Sequence, residues 1–290
     1  MQTTQTATTM EQTQYVFAAS EPEHERLVRM AGVMDPYVSD TLTRLELAPG
    51  SRVIEFGCGP LGALLPLSAA VGPDGAVVGL DRSGEALDKA RSVLAARDVR
   101  NVHLLQADLT TLTPGEVYPS GPFDLAFCHF VLCYQTDVAA ALRRMASVVR
   151  PGGYIVAQEL VFTAPIPLGA PGHFVPAANH LINEWFLTLL ATLGTSWDVP
   201  QRYSVVCQEA GLVEADQRIF APSLLPAHVP TGISIYHAIL TGLRPLLLRH
   251  DIAPETAIDR VLGELQAAQE EAHTETIFTH IQAELVARVA

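Results

Sequence analysis

The sequence predicts an α/β fold, a parallel sheet with helices on both faces and a helical cap. Two observations carry this. From Arg52 onward, short apolar runs (Val53–Phe56, Ala76–Leu80, Val102–Leu105, Phe123–Cys128 and Gly153–Leu160) alternate with helical stretches at about 61–71, 84–97 and 137–149. Strands that are apolar on both sides and separated by helices build a parallel sheet covered on each face. The glycine-rich stretch Gly57-Cys58-Gly59-Pro60-Leu61-Gly62 then joins the first strand to a helix, where the backbone must turn tightly and a ligand can approach it.

The N-terminal stretch 1–14 is rich in Thr and Gln and nearly free of apolar residues, the composition of a disordered tail. Ser20-Glu21-Pro22-Glu23 reads as a capping box that starts a first helix over Glu21–Ala31. Asp35-Pro36 reads as a turn, and Tyr37–Leu45 as a second short helix before Pro49-Gly50. The five strands and their helices follow. After Leu160 a Pro- and Gly-rich stretch leads to a helix at about Ala177–Leu193, a helix at Gln201–Ala210 ended by Gly211, and a sixth strand at Leu212–Ala221. Two helices are expected at about 232–250 and 254–272, the second capped by Asp251 to Glu255. Thr276–Val289 fits a terminal helix or a last strand. These features divide the chain into a tail (1–14), N-terminal helices (15–46), a core (47–160) and a remainder with inserted cap helices (161–290).

Composition narrows the partners. A chain of 290 residues, 49% hydrophobic, can bury a sizeable core without metals or disulfides. The formal net charge of −13, with 31 acids against 18 bases, argues against nucleic acid and anionic membranes, whose binding rests on Lys and Arg. Cys58, Cys128, Cys133 and Cys207 lack C-x-x-C spacing, which fits reduced thiols of a cytoplasmic protein. No apolar run reaches the ~18 residues of a membrane-spanning helix, so no membrane partner is expected. A homodimer through the N-terminal helices stays open.

The glycine loop spells G-x-G-x-x-G, a pattern most often read as a dinucleotide pyrophosphate loop. Asp81, about 20 residues on at the end of the second strand, suits ribose hydroxyls in either a dinucleotide or another adenosyl ligand. Glu55 separates the two: a carboxylate just before the first glycine repels a pyrophosphate and attracts an ammonium group. Asp108, in Gln106-Ala107-Asp108-Leu109 after the third strand, can accept from an adenine amino group while the Leu109 amide serves the ring nitrogen.

With E-x-G-x-G after strand one, an acid after strand two, A-D-L after strand three, Phe123-Asp124-Leu125 opening strand four and Arg150-Pro151-Gly152-Gly153 before strand five, the chain resembles class I S-adenosylmethionine-dependent methyltransferases over about 47–160. Pro60 and Pro66 stand where that family more often has glycine and small residues. The resemblance implies a Rossmann-like seven-stranded sheet and S-adenosylmethionine as cofactor. It places the methionine end on Glu55, Gly57, Cys58 and Gly59, the ribose on Asp81 with Arg82 beside it, and adenine on Asp108 and Leu109. His129 and Phe130, ending strand four, would face the methionine end. Tyr15-Val16-Phe17 with Glu23-His24-Glu25-Arg26-Leu27 resembles the N-terminal element of ubiquinone-biosynthesis-like and natural-product methyltransferases, which folds over the cofactor, so Tyr15 joins the candidates.

Methyl transfer from a sulfonium is an in-line displacement, and an acceptor hydroxyl, amine or carbon acid must also lose a proton to a base. Candidates are His129, His180, Tyr236 and His237, with Glu159 and His173 behind them. No metal-ligand spacing occurs, so no metal is expected. Aromatic residues in the inserts (Phe174, Trp185, Phe186, Trp197, Tyr236) suggest a hydrophobic acceptor pocket. The expected function is methyl transfer to a small, largely apolar or aromatic metabolite, as in natural-product tailoring. The alternatives are a methyltransferase-like cyclase or binding protein and, further off, a nicotinamide-dependent dehydrogenase.

Overall fold

The computed structural model describes residues 15–17, 20–117, 122–162, 174–270, 277–278 and 281–290; for 116, 174–180, 226 and 277–278 it describes the backbone. The expected tail at 1–14 and His173 lie outside them. Helix α1 (Glu21–Arg44) precedes β1 (Arg52–Phe56), α2 (Leu64–Val71), β2 (Ala76–Asp81), α3 (Gly84–Ala96) and β3 (Val102–Gln106). Next come α4 (Pro114–Val117), β4 (Phe123–His129), α5 (Val138–Ser147) and β5 (Val149–Leu160). The second half holds α6 (Phe174–Thr192), α7 (Tyr203–Ala210), β6 (Val213–Phe220), β7 (Ser223–Leu224), α8 (Val229–Arg249), α9 (Glu255–Gln269), β8 (Ile277–Phe278) and β9 (Gln282–Arg288).

The main sheet has seven strands in the order β3-β2-β1-β4-β5-β9-β6. Strands β1 to β5 pair in parallel, and β9 runs antiparallel between β5 and β6. This is the expected Rossmann-like α/β sheet. The period of two along each strand sorts side chains onto two cores. Val53, Val77, Leu125 and Val156 pack under α1, α2 and α3. Ile54, Phe56, Ala126 and Ile155 pack against α5 and α7. A third cluster joins α6, α8 and α9 with Val16 and Phe17, and this is the helical cap.

Three local expectations need correction. The turn at Asp35-Pro36 does not form, because α1 runs unbroken through Pro36. A helix-interior proline costs about 3 kcal/mol, but Ala31, Val38 and Leu42, on both sides of Pro36, are buried in one core, and that packing holds the helix together. The capping box is half made: Ser20 accepts the Glu23 amide, while the Glu23 carboxylate turns away to Arg26 and Tyr15. Helix α9 is not capped by Asp251; its N-cap is Pro254, without a side-chain cap, and Asp251 sits at φ 52° in the preceding turn. The open choice at Thr276–Val289 resolves as strand, with β9 buried between two neighbours.

A polar cluster fastens α1 to the antiparallel half of the sheet. Glu284 of β9 is fully buried and accepts from Arg218 Nε at 2.7 Å and from Gln158 Nε2 at 2.6 Å, and it also meets Thr41 and Arg44 of α1.

Candidate active site

The parallel strands β1, β2, β3 and β4 end at one edge, and the predicted carboxylates stand there. After β1 the chain folds back on β2: the Gly57 and Cys58 amides both donate to the Leu80 carbonyl, at 2.7 and 3.0 Å. Gly57 has φ 70°, and a Cβ on it would lie 2.5 Å from Val131 Cγ2, so the turn after β1 and the loop after β4 touch only because this residue is glycine. Asp81 closes the loop from the other side, accepting the Gly59 amide on Oδ2 and the Ser83 amide on Oδ1, each at 2.8 Å.

Glu55 is fully buried. Its Oε1 accepts the Ala63 amide at 2.8 Å, and a side chain on Gly62 would fall on that oxygen. Its Oε2 is buried without a hydrogen-bond partner. Burial, with Asp81 nearby, pushes the carboxyl up to about 8 despite the Ala63 amide. Asp108 accepts the Thr110 amide and hydroxyl, both on Oδ1 at 2.7 Å, while Leu109 is buried beside it and Arg82 is exposed. Cys58 is buried, its thiol turned to the Gly59 carbonyl at 3.6 Å.

The start of α1 covers this edge. The Tyr15 hydroxyl donates to Glu23 Oε1 at 2.8 Å, its ring meets Tyr134 edge-on at 5.2 Å, and burial holds its pKa well above the ordinary value. Glu23 and Arg26 form a buried two-bond ion pair (2.6 and 2.7 Å), and the Arg26 guanidinium lies 4.8 Å from the Phe17 ring centroid. Neither Glu23 nor Arg26 stood out as a site residue in the sequence. Their three-residue spacing on a helix was visible, but not their burial.

At the end of β4, His129 packs on Phe130 with ring centroids 3.7 Å apart, and Phe130 sits at φ 57°, strained for a non-glycine residue. Burial drives the His129 pKa down to about 3, opposed in part by a side-chain hydrogen bond with Gln282. Glu159 of β5 uses Oε1 to cap the turn after β4, accepting the Val131 and Leu132 amides at 2.9 and 2.6 Å, and burial pushes it up to about 7.

Beside Phe130 a cavity of about 70 Å³ opens between α1, α6 and α8. Met30, Met34, Ile182, Phe186, Ile235 and Ile239 supply apolar walls, and Asn183, Tyr236 and Gln282 supply polar groups. Tyr236 therefore stands where the sequence expects a pocket residue, whereas His237, one position on, does not line the cavity. The His180 side chain lies outside the described residues. The sequence reading missed Gln282, Asn183 and the two methionines. A signal was present in the spacing of 232, 235, 236 and 239 on α8 and of 30, 33 and 34 on α1, each one helix face.

A family model described as a methyltransferase domain matches residues 47–193. The chain belongs to the methyltransferase family. It is 31% identical over 157 residues to the aklanonic acid methyltransferase DauC of Streptomyces sp. strain C5, a match covering 52% of this chain and 70% of that one. It is 31% identical over 120 residues to a demethylmenaquinone methyltransferase of Geobacillus sp. strain WCH70, covering 41% of this chain and 50% of that one. Among solved structures the cyclase SpnF shares the fold, with a TM-score of 0.51, 17% identity, and coverage of 87% and 80% of the two chains.

This methyltransferase is of the S-adenosylmethionine-dependent class I, and the site suits that cofactor. The unpartnered, buried Glu55 oxygen beside the glycine turn calls for a donor, which a cationic amino acid end supplies and a pyrophosphate does not. No helix among the described residues is long and apolar enough to cross a membrane, and no metal-binding group of His, Cys, Asp and Glu occurs among them.

Proposed function

We propose that this enzyme methylates a small, largely apolar or aromatic metabolite that enters beside Phe130 between α1, α6 and α8, where the cavity of about 70 Å³ must widen to admit it. The observation that carries the reading is the position of that cavity: Phe130 lines it and directly follows β4, whose neighbour β1 ends in the glycine turn. Bound S-adenosylmethionine supplies an electrophilic methyl group on a sulfonium sulfur. Glu55, Gly57, Cys58 and Gly59 would take the methionine end, Asp81 and Arg82 the ribose, and Asp108 and Leu109 the adenine, with Tyr15 in the cover. The names of the two relatives, which refer to aklanonic acid and demethylmenaquinone, support a small-molecule acceptor. The net charge of −13 favours such an acceptor over nucleic acid.

The chain's own contribution is mainly to hold and desolvate the acceptor. His129, driven down to about 3, is a weak base and remains neutral at physiological pH. Tyr236 orients from the cavity wall, and Glu159 fixes the loop after β4. His237 drops out of this reading because it is not among the residues that line the cavity.

The test is incubation with S-adenosylmethionine and a panel of aromatic and polyketide-like acceptors, with S-adenosylhomocysteine and product followed by mass spectrometry. Methylated product in step with S-adenosylhomocysteine, lost in Ile239→Trp, supports the reading. Product formed without cofactor consumption supports instead a cyclase, the activity named for SpnF. Methylation of protein or RNA alone contradicts the proposal.

A further inference from the structure

The loop after β4, residues 130–134, touches three parts of the site. Phe130 lines the cavity, Val131 packs against Gly57 of the glycine turn, and the Tyr134 ring meets Tyr15 of the N-terminal cover. Phe130 carries strain, because its φ of 57° is a left-handed conformation that a bulky side chain disfavours. Such a conformation persists only where neighbouring bonds over-determine it. Two consecutive residues of β5 supply those bonds. The Gln158 carbonyl accepts the Phe130 amide at 2.9 Å, and Glu159 Oε1 accepts the next two amides, of Val131 and Leu132, at 2.9 and 2.6 Å. Glu159 is fully buried, and the Cys133 thiol faces the same carboxyl group. Residues Leu132–Tyr134 form a single 3-10 turn, so this carboxyl satisfies amides at its start that no turn of its own can satisfy.

Three successive amides taken by β5 fix where this loop stands against the strand edge. Removing the Glu159 oxygen leaves two N–H groups without their acceptor and frees Phe130 from part of what holds its backbone. Val131 is then no longer seated. A Cβ built on Gly57 falls 2.5 Å from Val131 Cγ2, so the loop and the glycine turn are packed to the limit of contact, and a shift of one moves the other. Resting on the placement of the methionine end at Gly57 proposed above, we infer that Glu159 is a positioning residue for the cofactor, acting through Val131 on the turn that seats the methionine end. Glu159 is not among the residues that line the cavity, and its Oε1 is committed to two amides, which sets it apart from a general base. In-line displacement depends on where the sulfonium stands, and a strand-end carboxyl outside the glycine loop thereby sets that position.

The experiment is calorimetric titration of the full chain with S-adenosylhomocysteine in the wild type, Glu159→Gln, Glu159→Leu, Val131→Ala and the Val131→Ala, Glu159→Leu double variant. Glu159→Leu removes the acceptor and is expected to weaken binding at least about tenfold. Glu159→Gln keeps an oxygen in the place of Oε1 and is expected to retain most of the affinity. In the Val131→Ala background the same Glu159→Leu change is expected to cost about threefold at most, because the side chain through which it acts is gone. A residue that only stabilises the fold would cost the same in both backgrounds. Wild-type affinity in Glu159→Leu, an equal loss in both backgrounds, or a loss in Glu159→Gln as large as in Glu159→Leu overturns the inference. Hydrogen exchange in the wild type decides the matter if Glu159→Leu fails to fold: amides of residues 130–135 are expected to exchange more slowly once S-adenosylhomocysteine is bound, and unchanged exchange overturns the inference. Failure of the wild type to bind S-adenosylhomocysteine overturns the cofactor placement itself, a result distinct from all of these.

Discussion

The Tyr15 hydroxyl donates to Glu23 Oε1 at 2.8 Å, so the segment ahead of α1 is fastened to the helix's own first turn. Glu23 is in turn held by Arg26 in a buried pair, and the Tyr15 ring rests on Tyr134 of the loop after β4. The N-terminal cover and the end of β4 are thus one packed unit across the strand edge.

Tyr15→Phe removes this bond and keeps the ring. A buried hydrogen bond to a charged group contributes about 1.5 kcal/mol, and the loss falls on closure over the cofactor. Calorimetry is expected to show S-adenosylhomocysteine affinity lowered by up to about tenfold. An unchanged affinity would separate the cover from cofactor binding.

Asp81→Ala withdraws the acceptor for both the Gly59 and Ser83 amides and the proposed ribose ligand. Affinity for S-adenosylhomocysteine is expected to fall at least about tenfold, since each hydrogen bond to a carboxylate is worth about 1.5–3 kcal/mol. Retained affinity would show that Asp81 only shapes the loop.

Glu55 gives a pH prediction with a definite sign. Burial raises it to about 8, so at pH 7 the free protein holds the carboxyl protonated. An ammonium group brought beside it favours the ionised form. Binding of S-adenosylhomocysteine at pH 7 is therefore expected to release up to one proton, seen as a dependence of the calorimetric enthalpy on buffer ionisation and absent in Glu55→Gln. The folded values of Glu55 and Glu159 (about 8 and about 7) lie above the ordinary 4.5, so the native state binds these protons more tightly than the unfolded chain. Their contribution to stability is full below about pH 4.5 and declines as pH rises towards 8. Chemical denaturation at pH 5 and 8 checks this, and Glu55→Gln should flatten the decline.

Much of this site was legible because parallel α/β architecture ties short sequence motifs to one sheet edge: Glu55 and Asp81 stand in the last two residues of β1 and β2, and Asp108 two residues after β3, strands whose apolar runs are plain in the sequence. The acceptor side was not, because its wall draws single residues from α1, α6, α8 and β9, and no local pattern reports that these elements meet. Gln282 illustrates this. In sequence it is a polar residue in a stretch that fits helix or strand equally, and only its pairing with Leu160 and Phe220 turns it inward. Pro36 was misread for a related reason, since tertiary packing of α1 outweighed a local helix-breaking signal.

The buried cluster around Glu284 predicts a structural effect apart from catalysis. Glu284→Leu leaves Arg218, Arg44, Gln158 and Thr41 without their shared acceptor. Removing one partner of a buried ion pair costs about 3–5 kcal/mol. The two arginines are partly exposed (36% and 23%), so solvent screening places the loss at the low end, about 3 kcal/mol. Thermal denaturation should show a midpoint lower by about 6–12 °C.

The most direct test of the account is calorimetric titration of the full chain with S-adenosylhomocysteine and, separately, NADH. The strand-end carboxylates predict one-to-one micromolar binding of S-adenosylhomocysteine, weakened in Asp81→Ala, and no binding of NADH. Binding of NADH with none of S-adenosylhomocysteine would contradict it.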